Sequence, residues 1–93
     1  MRIILYSKPG CHLCEGLQEK LSQVQTPVLE LEVRDITTRD DWFQAYQYEI
    51  PVLRYLTNDL ASPVERTLPR LSPRATVQQM EKMLQQYLSG LTN

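Results

Sequence analysis

The sequence predicts an α/β domain: a mixed four-stranded sheet flanked by three helices, in the order β-α-β-α-β-β-α. Three observations carry this expectation. A continuous apolar run opens the chain, an apolar stripe at helical spacing follows, and a cleanly alternating segment comes next. Together these make a strand–helix–strand unit with parallel strands and a right-handed crossover. The second half adds another helix, a pair of short strands and a last amphipathic helix.

Arg2 to Ser7 is the first strand. Ile3, Ile4, Leu5 and Tyr6 are bulky and do not alternate with polar residues, as expected of a strand buried on both faces. Pro9-Gly10 ends it. From Leu13 the period changes: Leu13, Leu17, Leu21 and Val24 fall at helical spacing, and Pro27 closes the helix. Gly16 inside it costs up to about 1 kcal/mol relative to Ala, explained either by close packing on the sheet or as a tolerated weak position. Val28 to Val33 alternates and is the second strand. In "DITTRDDWFQAYQYEIP", Thr38 with Asp41 three residues on marks a helix start. Trp42, Phe43 and Tyr46 give that helix an apolar side, and Pro51 stops it.

Val52 to Leu56 and Val64 to Leu68 are the third and fourth strands. The turn formers of "TNDLASP" between them predict an antiparallel hairpin. Ser72-Pro73 offers an N-cap followed by proline at the first helical position. Val77, Met80, Leu84, Tyr87 and Leu91 then form the stripe of the last helix, with Gly90 as its stop signal. That stripe reads as core packing, not as a cofactor box.

Ninety-three residues, 42% hydrophobic and 23% charged, are expected to form a single domain over residues 1–93 and not a disordered chain. A chain this short buries only roughly 60–65% of its unfolded surface, so recognition is expected on a shallow surface. The net charge of -1 and the absence of long like-charge runs argue against a nucleic-acid binder. Arg66, Arg70 and Arg74 are either a solvated charged face or a small anion-binding patch. Ile3-Ile4-Leu5 is too short for a signal-peptide core or a membrane span. A cytoplasmic location with no membrane partner is therefore expected, where thiols stay reduced and a working CxxC is favoured over a stabilising disulfide.

Both cysteines lie in "YSKPGCHLCEG", where the first strand hands over to the first helix. The unpaired N–H groups and positive dipole end there favour an anion. A thiolate is such an anion, so a lowered pKa is expected for Cys11, with Lys8 adding a positive charge within reach. Cys14 lies one helical turn on, placed to attack a mixed disulfide formed at Cys11. Cys11 is thus the candidate nucleophile and Cys14 the more enclosed resolving thiol. A zinc or iron–sulfur site normally wants four ligands, whereas this chain has two Cys and one His. Haem attachment needs His after the second cysteine, where Glu15 stands. His12, if cationic, would stabilise the neighbouring thiolate and make the pair a better oxidant; otherwise it is an exposed spacer.

"YSKPGCHLC" followed by "EIPV", in this strand–helix order, resembles the glutaredoxins, members of the thioredoxin fold, over nearly the whole chain. The pattern "D…Y…IPVL" is similar to a branch of short glutaredoxin-like proteins found mainly in bacteria. The resemblance implies a thioredoxin-like fold with a cis peptide at Ile50-Pro51 facing the CxxC. That arrangement would leave the Ile50 backbone groups free to pair with an extended substrate. The residues alone read Pro51 as an ordinary trans proline ending a helix. Lys8 stands where glutaredoxins often carry a cation for a glutathione carboxylate, which implies glutathione as a co-substrate. The chain also departs from the family pattern. His12-Leu13 replace the usual Pro-Tyr, and Leu68 to Pro73 replace the Gly-Gly and acidic residues that hold the γ-glutamyl end of glutathione. Gly10 stands where thioredoxins carry tryptophan.

The expectation is a thiol–disulfide oxidoreductase serving electron transfer and cell redox homeostasis. Its catalytic residues would be Cys11 and Cys14, with Lys8, Ile50 and Pro51 binding substrate and His12 and Lys8 tuning the thiolate. Its partners would be protein disulfides, glutathionylated proteins and glutathione; it would be monomeric and need no metal or prosthetic group. Two readings stand beside it: an iron–sulfur or metal-binding module, and a partner-docking module without redox turnover.

Overall fold

The apolar run near the chain start becomes an inner strand of the sheet. In the computed structural model, which describes residues 1–57 and 64–91 and side chains through Tyr87, β1 (Arg2–Ser7) buries Ile3, Ile4, Leu5 and Tyr6 in succession. It pairs in parallel with β2 (Glu30–Asp35) and antiparallel with β3 (Val52–Leu56), which pairs antiparallel with β4 (Glu65–Thr67). The sheet order is β2-β1-β3-β4. With α1 (His12–Ser22), α2 (Asp40–Tyr46) and α3 (Val77–Leu91), the chain has the expected mixed sheet and three helices.

Alternation along β1 divides the core in two. Ile3 and Leu5 join Leu21 of α1, Leu53 and Tyr55 of β3, Leu68, and Met80 and Leu84 of α3. Ile4 and Tyr6 pack on the other face with Ile36, against Trp42, Phe43 and Tyr46. The Met80–Leu84 stripe is core, as its spacing indicates.

Several boundaries differ from expectation. The second strand starts at Glu30 and ends at Asp35, two residues later than Val28 to Val33. Its ladder begins where β1 supplies partners, Arg2 opposite Glu30, and Val28 is left 78% exposed. Thr38 does not cap α2. It ends a 3₁₀ turn (Ile36–Thr38), its hydroxyl donating to the Asp35 carbonyl at 2.7 Å; Arg39 stands at the N-cap without a side-chain capping bond. The same helix ends at Tyr46, well before Pro51.

Ser72-Pro73 forms a turn instead of a helix start. The Ser72 carbonyl accepts from Ala75 N–H at 2.9 Å and its hydroxyl oxygen from Arg74 N–H at 3.1 Å. The cap of α3 is Thr76, whose hydroxyl oxygen accepts from Gln79 N–H at 3.1 Å while Gln79 Oε1 accepts from Thr76 N–H at 2.9 Å. This reciprocal pair is a capping box. The helix continues through Gly90 to Leu91 instead of stopping at the glycine. The fourth strand is trimmed to Glu65–Thr67, and most of the expected hairpin turn, residues 58–63, lies outside the described residues.

Candidate functional site

Gly10 makes the turn that presents the cysteines. Its φ of 80° lies in the left-handed region where a side chain is strained. Beyond it, Cys11 N–H donates to the Lys8 carbonyl at 3.3 Å and the chain enters α1 with Cys11 at the N-cap. The Cys11 carbonyl accepts from Glu15 N–H at 3.0 Å, and its Sγ accepts from Cys14 N–H at 3.2 Å. The sulfur therefore takes the position of a capping oxygen, against helix N–H groups that also favour a thiolate. Cys11 and Cys14 are joined as a disulfide, their Cα atoms 5.2 Å apart. Cys14 is buried beneath Cys11, which retains partial exposure.

The remaining residues singled out from the sequence lie around this pair in different ways. Lys8 is exposed in the loop after β1 and contributes its carbonyl to the turn. The His12 side chain is 93% exposed, with Nδ1 3.6 Å from a Glu15 carboxylate oxygen. Ile50 packs beside the Ile4–Tyr6 cluster, and the Ile50–Pro51 peptide is cis. Its backbone groups are not free, contrary to the expectation for an extended partner. Just past the end of α2, Ile50 N–H donates to the Tyr46 carbonyl at 3.1 Å, and Arg70 Nη2 donates to the Ile50 carbonyl at 3.4 Å.

Pro51 also borders a groove of about 380 Å³ together with Leu13, Gly16, Leu17, Leu68 and Met80. Leu13, which lies between the two cysteines in sequence, lines the groove; neither Cys11 nor Cys14 does. A Cβ built on Gly16 would meet nothing within 4 Å, so close helix–sheet packing does not explain this glycine; it widens the groove. Charged groups on the lining are Lys20, Glu49 and Arg70. The Lys20 ammonium donates to the Pro73 carbonyl at 2.5 Å, tying α1 to the β4–α3 segment. In the sequence Arg70 stands out only as part of the scatter Arg66, Arg70 and Arg74; no local pattern links it to Ile50, twenty positions away.

Among the described residues, no three His, Cys, Asp or Glu side chains cluster closely enough to hold a metal ion. No described helix is long and apolar enough to cross a membrane.

The model of the Glutaredoxin-like domain family matches residues 2–85. The chain belongs to the glutaredoxin-like family. Among solved structures, the glutaredoxin-like chain is similar to structural-genomics target protein XcR50 from X. campestris, with 24% identity and a TM-score of 0.58. That match covers 90% of this chain and 96% of the other. It is also similar to thioredoxin 1 from Thermosipho africanus TCF52B, with 15% identity, a TM-score of 0.62 and complete coverage of both chains. These likenesses establish the thioredoxin-like fold and nothing finer. No curated protein sequence matches the chain.

Proposed function

We propose that this protein is a thiol–disulfide oxidoreductase that reduces protein disulfides or glutathionylated proteins. The observation that carries the reading is the Cys11–Cys14 pair at disulfide distance, with a half-buried Cys11 capping α1 through its sulfur and a buried Cys14 one turn on. Cys11 is the nucleophile because helix N–H groups stabilise its thiolate and it is the more exposed of the two residues.

The Cys11 thiolate attacks one sulfur of the target disulfide and expels the other as thiolate, leaving a mixed disulfide. Cys14, deprotonated, attacks Cys11 Sγ, closes the intramolecular disulfide and releases the second thiolate. Both leaving thiolates take protons from solvent. The target gains two electrons and the protein loses two; two equivalents of an external thiol such as glutathione restore the dithiol. No prosthetic group is required, since the sulfurs carry both electrons.

Equilibration of the pair against defined glutathione buffers, with free thiols alkylated and counted, tests this reading. A reversible two-electron couple is expected between about -270 mV, the potential of thioredoxin, and about -180 mV, that of a disulfide isomerase. In parallel, Cys14→Ser should arrest turnover at a mixed disulfide visible by mass, and Cys11→Ser should abolish it. Failure to cycle between dithiol and disulfide in any buffer would sink the proposal.

A further inference from the structure

We propose that the outer edge of β2 pairs with the same edge of a second copy of this chain, antiparallel about a two-fold axis at Val33. The inference concerns assembly and does not depend on the redox reading.

β2 is a terminal strand of the sheet, paired with β1 on its inner side. One bond sets its backbone phase: Glu30 N–H donates to the Met1 carbonyl at 2.8 Å. The N–H and C=O of a strand residue point the same way, and successive residues alternate. Glu30, Glu32 and Arg34 therefore turn their backbone groups to β1, while Leu31, Val33 and Asp35 turn theirs outward. Among the described residues, the outward groups of Leu31 and Val33 have no hydrogen-bond partner. Neither a proline nor a bulge blunts this edge: its ladder to β1 is unbroken from Glu30 to Asp35, and Val33 at its centre is 43% exposed.

Charge selects the partner. In a two-fold antiparallel pairing with Val33 opposite Val33, these two residues exchange both backbone bonds, in the phase the outward groups require. Glu32 then stands opposite Arg34 of the second copy, and Arg34 opposite its Glu32. Both are non-hydrogen-bonded pairs, in which Cα atoms are only about 4.5 Å apart. Within each chain Glu32 and Arg34 already form an ion pair, so the four charges make a square in which every neighbour has the opposite sign. Arg34 keeps its bond to the Tyr6 hydroxyl through Nη1, and its Nη2 has no partner among the described residues. A register centred on Glu32 would set Glu32 against Glu32, and one centred on Arg34 would set Arg34 against Arg34. Only the Val33 register matches both backbone phase and charge. Because β2 runs parallel to β1, the axis sends the two dithiols to opposite ends of the joined sheet, and each copy keeps its own.

The strip is short, so the association is expected to be weak. Sedimentation velocity of the full chain should show a monomer–dimer equilibrium between about 20 µM and about 1 mM. Val33→Lys sets like charges on the axis and should stay monomeric throughout, with its thermal unfolding at low concentration unchanged. Glu32→Gln should weaken the dimer about two- to tenfold, and the difference should vanish in about 1 M salt. Amide exchange followed by NMR should slow at Leu31 and Val33 as concentration rises. It should not change at Glu32 and Arg34, which are bonded to β1 in either state. A monomer at every concentration overturns the proposal, as does a Val33→Lys dimer as tight as wild type. A dimer tightened by Glu32→Gln rules out the register, and one that leaves Leu31 and Val33 exchange unchanged uses another surface. If Val33→Lys does not fold, Glu32→Gln and the exchange pattern still decide.

Discussion

One face of the sheet is completed by apolar packing and the other by a chain of charges. Under α1 and α3, the cluster around Ile3, Leu5, Leu21, Met80 and Leu84 holds only apolar side chains and Tyr55. Under α2, the fully buried members among the described residues are Ile4, Tyr6 and Ile36 alone. The reason is length. The seven residues of α2 reach about 10 Å at 1.5 Å per residue, too short to cover the sheet. Polar side chains finish the face, one from each strand: Arg34 of β2, Tyr6 of β1, Arg54 of β3 and Glu65 of β4.

The chain of polar groups is continuous. Arg34 Nη1 donates to the Tyr6 hydroxyl oxygen at 2.8 Å, and Tyr6 donates to Glu65 Oε1 at 2.9 Å. Arg54 Nε lies 3.5 Å from the same carboxylate oxygen but, though buried, makes no hydrogen bond. Arg34 also stands over the Trp42 and Tyr6 rings, at 5.3 and 5.5 Å, so its cation closes the apolar layer as well as the polar one. Burial, then the Glu65 carboxylate, pushes the Tyr6 phenol up to about 12. The difference teaches where each property comes from. The apolar face supplies most of the cohesion and opens into the groove lined by Leu53, Leu68 and Met80; the polar face ties the short edge strand β4 across the sheet.

The largest effect should come from the apolar face. Leu84 is wholly buried between α3 and the sheet, so Leu84→Ala should cost about 2–5 kcal/mol in urea unfolding. A loss below that of the polar-face variant would reverse the comparison. Tyr6→Phe keeps the ring but breaks the polar chain, and should cost about 0.5–1.5 kcal/mol at neutral pH. It should also change the alkaline limb. The folded phenol binds its proton more tightly than the unfolded one, so its contribution is complete below about pH 10 and lost as pH rises through about 12. The variant should lack that component of alkaline destabilisation when the two unfolding curves are subtracted.

The smallest effect should come from Glu81, a surface tie on the apolar side. Its carboxylate accepts from Gln25 N–H at 2.9 Å and Thr26 N–H at 3.1 Å, and those bonds hold it below the usual carboxylate range. A lowered folded pKa gives stability present above the unfolded value, about 4.3, and lost as pH falls through the folded one. Glu81→Gln should therefore lower the urea midpoint slightly at neutral pH, and the two proteins should converge in strong acid. A gap that widened on acidification would contradict this.

Much of the frame was legible because its signals are local. Four consecutive large apolar residues pointed to an inner strand, and β1 is buried along its centre. The shift of period at Leu13 placed α1 within a residue of its start, and with it the cysteines at a helix N-terminus. Local signals also misled where a residue had a competing partner. Thr38 had the spacing of a cap but bonded back to Asp35, and Ser72 closed a turn while Thr76 and Gln79 capped α3.

By itself, the sequence determined the order of elements, the inner strand, the α3 stripe and the placement of Cys11 and Cys14, because each depends on residues within a turn or a strand length of one another. Tertiary structure alone decided the register of β2, the polar chain across the sheet and the meeting of Arg70 with Ile50. Tyr6 and Glu65 are 59 positions apart, Tyr6 and Arg34 are 28 apart, and Arg70 and Ile50 are 20 apart. No periodicity reaches over such distances; only the sheet order β2-β1-β3-β4 and the packing above it bring these side chains within bonding range.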